Sequence, residues 1–171
     1  MRVETIIAVS RALNEANVRF IVCGGQAVIA HGYVRFTADL DLAIRLDPDS
    51  VRKAVGALKA AGYRPSLPIS VEQFADATVR RQWANEKNMQ VLNFVSDADP
   101  LGTIDIFIQD QFDFDQEFAS ADVLELVPGV TWRVLRLDAL VDMKLAVGRP
   151  VDLDDAEHLK AIKAMKAEPK R

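Results

Sequence analysis

Two neighbouring segments constrain the fold of this chain more than any other part of it. The apolar run Val18 to Cys23 is rich in strand-forming residues and ends at a glycine pair, which predicts a short buried strand. A short helical segment follows over Gln26 to His31, and residues 37–46 then alternate apolar with polar side chains. That alternation predicts a strand with one buried face. A strand, a short helix and a second strand in this order favour a mixed α/β architecture.

Other segments continue this alternation of helices and strands. The N-terminal segment from Val3 has helical periodicity and ends at Asn14 to Asn17, and Ser70-x-x-Gln73 fits a capping box that begins a helix. From Leu137 onward the pattern is helical, with a break at Gly148-Arg149-Pro150. A further helix is predicted over residues 51–61, and strands over residues 89–95, 103–108, 123–127 and 131–135. The sequence therefore predicts an α/β (α+β) fold with a central mixed sheet flanked by helices.

Length and composition indicate one domain. The chain has 171 residues, 50% of them apolar, and we expect a core over residues 1–136 and a C-terminal helical segment over 137–171, with a frayed tail from Lys166. The net charge of −4 disfavours a broad basic surface for nucleic acid. The single cysteine excludes an internal disulfide. No apolar run approaches the roughly 20 residues that span a bilayer, and the N-terminus has no signal-peptide pattern. We expect a cytoplasmic protein with no membrane partner.

Two aspartates, Asp39 and Asp41, lie two residues apart in the predicted strand 37–46. Side chains alternate between the faces of a strand, so both carboxylates project from the same face. Neighbouring like charges are unfavourable unless a cation lies between them, and Mg²⁺ prefers carboxylate oxygens together with substrate phosphates. The pair therefore predicts a magnesium site. The alternative is an edge strand with a solvated outer face.

A third carboxylate and a glycine pair accompany these aspartates. Asp105 lies within the apolar run Ile104 to Ile108, where a carboxylate is costly to bury unless it is paired or binds a metal. The alternative is a strand with one exposed face. Gly24 and Gly25 lie between a strand and a helix, where backbone N–H groups can approach a phosphate, although such a pair is more often a tight turn. The other candidates for the third carboxylate are Asp97, Asp99 and Asp110.

The order of these residues resembles the DNA polymerase β-like nucleotidyltransferase superfamily. That superfamily has a glycine pair or Gly-Ser opening a helix, then Asp-x-Asp, then a carboxylate on a later strand. The Arg-x-Thr-x-Asp-x-Asp string from Arg35 to Asp41 looks especially like the small bacterial AbiEii-like nucleotidyltransferases. The segment Lys144 to Asp155 is similar to their Lys-…-Arg-x-x-Asp-x-x-Asp segment. This chain departs from many active members at Gly25, where they have a serine hydroxyl.

The resemblance implies a nucleotidyltransferase fold and a metal-dependent activity. A nucleoside triphosphate would be the substrate, two Mg²⁺ ions the cofactors, and an RNA, protein or small-molecule hydroxyl the acceptor. Asp39, Asp41 and Asp105 would be the catalytic metal ligands, with Asp105 accepting the hydroxyl proton. The nucleotide would be held by the amides of Gly24 and Gly25 and by Lys144, Arg149, Arg35 and Thr37.

Several of these residues also have simpler interpretations. Lys144 is on its own more often a solvated lysine, Arg149 could cap the helix before it, and Arg35 and Thr37 could serve a turn. Asp152 is predicted to be the N-cap of the last helix in preference to a catalytic role. Two other functions stay open: a non-catalytic module that binds a nucleotide or a cognate toxin or antitoxin partner, and a structural domain whose aspartates lie on the surface.

Overall fold

The computed structural model describes residues 1–167, so most of the predicted frayed tail lies outside the described residues. Helices α1 to α8 are Val3–Glu15, Gly24–His31, Pro48–Ala60, Val71–Ala75, Ala77–Lys87, Phe114–Ser120, Leu137–Val147 and Pro150–Ala167. Strands β1 to β7 are Phe20–Val22, Leu40–Ile44, Arg64–Pro65, Val91–Ser96, Asp99–Phe107, Asp122–Val127 and Val130–Val134.

The seven strands form one mixed sheet in the order β3-β4-β5-β2-β1-β7-β6. The pairs β2–β5 and β1–β7 are parallel, and the other neighbours are antiparallel. Leu40, Leu42, Ile104 and Ile106 are fully buried in the two central strands. The apolar positions of the predicted alternating strand therefore face the core, and its polar positions face the other side of the sheet.

The helix boundaries follow the predicted capping signals. Asp47 caps α3 by accepting a hydrogen bond from the Ser50 amide, and Ser70 and Gln73 form the capping box of α4. Gly32 ends α2 in a left-handed conformation with φ 115°, and Gly148 ends α7 with φ 70°. The two C-terminal helices are therefore separated at the predicted break.

Some element boundaries differ from the sequence prediction. Helix α2 begins at Gly24 and not at Gln26, and β2 begins at Leu40, so Asp39 immediately precedes the strand. Helix α5, the two-residue strand β3 and the seven-residue helix α6 were not predicted. Strand β3 and helix α6 are so short that they display less than two periods of any hydrophobic pattern. No helix within residues 1–167 combines the length and the apolar content that a membrane crossing requires.

Candidate active site

The three predicted carboxylates come together at the centre of the sheet. Strands β2 and β5 are parallel neighbours, and their register makes Asp41 and Asp105 direct Cα partners. Asp39 precedes Asp41 by two residues, which directs both side chains to the same side of the chain. The apolar residues between them anchor the other face of both strands in the core. The strand pairing therefore places three aspartates on one face.

Two polar side chains that the sequence analysis did not single out hold Asp39 and Asp105. The Thr103 hydroxyl lies 2.9 Å from a carboxylate oxygen of Asp39 and 2.9 Å from one of Asp105. The Asn93 amide donates to Asp105 at 2.8 Å. Thr103 precedes Asp105 by two residues on β5, and Asn93 is the Cα partner of Asp105 across β4. Once the pairing of β4 with β5 is known, the period of two in a strand identifies both positions.

The carboxylates experience burial and mutual repulsion. Burial, followed by the charges of Asp105 and Asp39, raises the pKa of Asp41 to about 6. Burial also raises the pKa of Asp105, against the hydrogen bonds from Asn93 and Thr103. Within residues 1–167 none of the three aspartates forms a salt bridge, because the basic side chains nearby pair with other carboxylates. The cluster therefore carries negative charge that no salt bridge within residues 1–167 neutralises.

The donor set fits a hard divalent cation, which binds carboxylate oxygens and would offset this repulsion. In the present arrangement, residues 1–167 contain no group of three His, Cys, Asp or Glu side chains that could hold an ion. The Thr103 hydroxyl lies between Asp39 and Asp105 and keeps both carboxylates directed toward it. The residue types thus fit a metal ion, although the side chains of residues 1–167 are not arranged at ligand distances from a common point.

The glycine pair is required by two side chains that approach it closely, Asp41 and Thr37. Gly24 has φ 57°, and a Cβ there would lie 1.9 Å from a carboxylate oxygen of Asp41. A Cβ on Gly25 would lie 2.5 Å from the Thr37 hydroxyl. The Gly25 backbone amide slightly opposes the rise in the pKa of Asp41. The close approach of Asp41 and Thr37 explains two successive glycines.

The basic residues form an ordered ion-pair network with two buried aspartates. Lys144 lies 2.8 Å from both Asp152 and Asp155, Arg149 lies 2.6 Å from Asp152, and Arg35 contacts Asp155 through two nitrogens at 2.6 and 2.8 Å. Burial opposes ionisation of both aspartates, but the hydrogen bonds that they accept outweigh it and lower the pKa of each. Asp152 accepts from Arg149 and Lys144, and Asp155 accepts from Arg35 and Lys144. The network therefore joins the loop before β2 to both C-terminal helices.

This network corrects two of the simpler interpretations. Lys144 is buried and not solvated. The prediction of Asp152 as an N-cap is wrong, because Asp152 is the third residue of α8 and its carboxylate accepts from Lys144 and Arg149. Asp155, which the sequence analysis placed in the family segment without a role, is fully buried and holds Arg35 and Lys144.

All of the predicted site residues line one cavity of about 570 Å³. They are Gly24, Gly25, Arg35, Thr37, Asp39, Asp41, Asp105, Lys144 and Arg149. The three competing aspartates do not line it; Asp110 borders another cavity and Asp97 pairs with Arg64. A neighbouring cavity of about 800 Å³ shares Gln90, Gln111, Met143 and Val147 with the first.

No protein-family model matches the chain. No curated protein matches it either. Solved structures do match it in fold. The antibiotic-resistance factor ANT(2″)-Ia in complex with adenylyl-2″-tobramycin has a TM-score of 0.54 and 14% identity, with 95% of each chain covered. Its solution structure has a TM-score of 0.56 and 16% identity, covering 95% of this chain and 89% of the other.

The lincosamide antibiotic adenylyltransferase LnuA, bound to lincomycin, is also similar. Its TM-score is 0.61 at 14% identity, with 93% of this chain and 96% of the other covered. Sequence identities of 14–16% show a shared fold only. The comparisons confirm the predicted nucleotidyltransferase fold, and the narrower AbiEii-like resemblance stays a prediction.

Proposed function

We propose that this chain is a metal-dependent nucleotidyltransferase that transfers a nucleoside monophosphate from a nucleoside triphosphate to a hydroxyl of a small molecule. The observation that carries this proposal is the composition of one cavity. Three carboxylates without a salt bridge among residues 1–167 face three basic side chains across a space of about 570 Å³. A cation bound to a triphosphate would complement both walls of such a cavity at once.

Asp39, Asp41 and Asp105 would hold Mg²⁺ in this proposal. The metal, when bound, would neutralise phosphate charge and lower the pKa of the acceptor hydroxyl. Asp105 would also receive the proton of the acceptor hydroxyl. The acceptor oxygen forms a bond to the α-phosphorus, the bond from that phosphorus to the bridging oxygen breaks, and pyrophosphate leaves with the electron pair.

The basic network would bind the triphosphate. The Arg149 side chain is held by Asp152 yet is largely exposed at the cavity wall, so part of its guanidinium stays free for phosphate oxygens. Lys144 and Arg35 are fixed by Asp155 and add positive charge behind it. Three cations against two aspartates leave one net positive charge on this wall, which attracts an anion without requiring the side chains to reorganise.

A small molecule is the acceptor class that the surroundings favour. The neighbouring cavity of about 800 Å³ shares its wall with the nucleotide cavity, and it offers the amides of Asn88, Gln90 and Gln111 and the carboxylate of Asp142. Its volume lies within the range of small-molecule sites, about 300–1,000 Å³. Two of the structures with the same fold contain tobramycin or lincomycin compounds. The net charge of −4 disfavours a large RNA footprint.

A transfer assay tests this function. Each α-labelled nucleoside triphosphate is incubated with the protein, Mg²⁺ and separate pools of polyhydroxylated small molecules, RNA and protein. We expect label in a small-molecule product, with pyrophosphate released in equal amount. The double variant Asp39→Asn/Asp41→Asn should transfer nothing, and Asp49→Asn, an exposed carboxylate on α3, should transfer as the wild type does. Label on RNA or protein alone would contradict the acceptor class, and label that persists in the double variant would contradict the site.

A further inference from the structure

One large aromatic side chain at the site has no role in the function proposed above. Phe36 lies in the connection between α2 and β2, and 86% of its surface is exposed. It nevertheless lines the same cavity as Asp39, Asp41 and Asp105. Transfer of an exposed phenyl ring from water into an apolar environment is favourable, so a ring left open at a cavity is available to a ligand.

The backbone on both sides of Phe36 is anchored. Arg35 donates to Asp155 through two nitrogens, and a third nitrogen of the same guanidinium donates to the Phe36 carbonyl at 2.8 Å. On the other side, Thr37 packs against Gly25 so closely that a Cβ on the glycine would collide with it. The ring is therefore presented from a fixed backbone, and little order has to be imposed when a ligand binds.

The cavity also has apolar side chains from the C-terminal helices. Val147 at the end of α7 is 55% exposed and Val151 in the first turn of α8 is 44% exposed, and both line the cavity with Phe36. Arg149 lies between them in sequence. Phe36 and these valines thus give the cavity an apolar part beside its charged part. A nucleoside triphosphate has the same two-part character: a flat apolar base joined to a polyanion.

We propose that Phe36 is the stacking platform for the base of the nucleoside triphosphate and that it selects purines, an inference that rests on the proposed function. An aromatic ring stacks on the π-face of any base, and the larger face of a purine gives the stronger contact. The charged walls would hold the triphosphate, and Phe36 would add affinity that depends on the base alone. Phe36 is then a residue that determines nucleotide specificity and takes no part in the phosphoryl chemistry.

Equilibrium binding in the presence of Mg²⁺ tests this role with three probes: ATP, UTP and inorganic tripolyphosphate, which has no base. Phe36→Ala should weaken ATP binding roughly 5- to 100-fold, the range measured for loss of a base–aromatic contact. Tripolyphosphate binding should change less than about twofold, and the wild type should bind ATP more tightly than UTP. Phe36→Tyr, which keeps the ring, should retain ATP affinity.

Val34→Ala is the matched control. Val34 lies in the same connection and is 82% exposed, yet it does not line the cavity, so its loss should leave all three affinities unchanged. Equal weakening of ATP and tripolyphosphate by Phe36→Ala would overturn the stacking role, and so would unchanged ATP binding or ATP no tighter than UTP in the wild type. If the wild type binds none of the three probes, the proposed nucleotide site is wrong and the stacking role is overturned with it.

Discussion

The replacement of Asp41 by asparagine should make the metal-free protein more stable while it abolishes transfer. Burial and the charges of Asp105 and Asp39 raise the pKa of Asp41 from 3.8 to about 6. At about 1.36 kcal/mol per pKa unit, this rise corresponds to about 3 kcal/mol by which the ionised carboxylate destabilises the fold at neutral pH. An asparagine is neutral at every pH but does not reproduce every polar contact of the carboxyl group, so we expect a net gain of about 2 kcal/mol.

The sign of the pH dependence follows from the raised pKa. Above about pH 6 the carboxylate is ionised in the folded protein and the destabilisation is fully present. As the pH falls from about 6 toward 3.8, the folded protein takes up a proton before the unfolded chain does, and the destabilisation disappears. The stability difference between Asp41→Asn and the wild type should therefore be largest at pH 7.5 and should shrink toward zero at pH 4.

Urea unfolding in EDTA measures this difference, with the fluorescence of the buried residues Trp83 and Trp132 as the signal. The free energy of unfolding of both proteins is compared at pH 7.5, 6, 5 and 4. Asp49→Asn serves as the control, because its carboxylate is exposed and, among residues 1–167, pairs only with Arg52. A variant that is less stable than the wild type at pH 7.5, or a difference that is the same at all four values, would refute the reasoning.

Other variants test the remaining parts of the site. Gly24→Ala places a Cβ 1.9 Å from a carboxylate oxygen of Asp41 at a φ of 57°, so it should lose at least about 1 kcal/mol of stability and most of the activity. Gly56 lies in the exposed middle of α3, where an added Cβ would meet no side chain of residues 1–167 within 4 Å, so Gly56→Ala should gain about 0.5–1 kcal/mol. Thermal melting distinguishes the two variants. Asp155→Asn leaves two buried ion pairs incomplete and should lower the free energy of unfolding in urea by about 3 kcal/mol. A decrease of less than about 1 kcal/mol would contradict the stabilising role of the network. Thr103→Val should raise the Mg²⁺ concentration for half-maximal activity about tenfold. Thr103→Ser, which keeps the hydroxyl, should have the wild-type Mg²⁺ requirement. An unchanged requirement in Thr103→Val would show that the hydroxyl does not position the carboxylates.

Much of the fold follows from local patterns in the sequence. The alternation of apolar and polar residues before and after Asp41 identified β2 and its buried face, because the hydrophobic period of a strand depends only on neighbouring residues. The capping box at Ser70 and the break at Gly148 were equally local. The glycine pair, Asp39 and Asp41 could be found because they lie on consecutive elements of the chain, and Asp105 because it interrupts an apolar run.

The ion-pair network could not be found in the same way. Arg35 and Asp155 are 120 residues apart, and no property of either segment reveals that they meet. Asp152 resembles an N-cap because it follows Pro150 near a helix start, and only the tertiary position of Lys144 shows what its carboxylate binds. The same holds for Thr103, whose second contact, to Asp39, crosses from β5 to the start of β2.

Calorimetric titration with ATP tests the central claim most directly, namely that one cavity binds a metal and a triphosphate together. The account predicts a single site that requires Mg²⁺, with no binding in EDTA or in the Asp39→Asn/Asp41→Asn variant. It also predicts that Arg149→Ala weakens binding without removing the need for the metal, because the arginine contacts the phosphates and the aspartates hold the ion. Nucleotide binding of equal strength in EDTA, or in the double aspartate variant, would contradict the account.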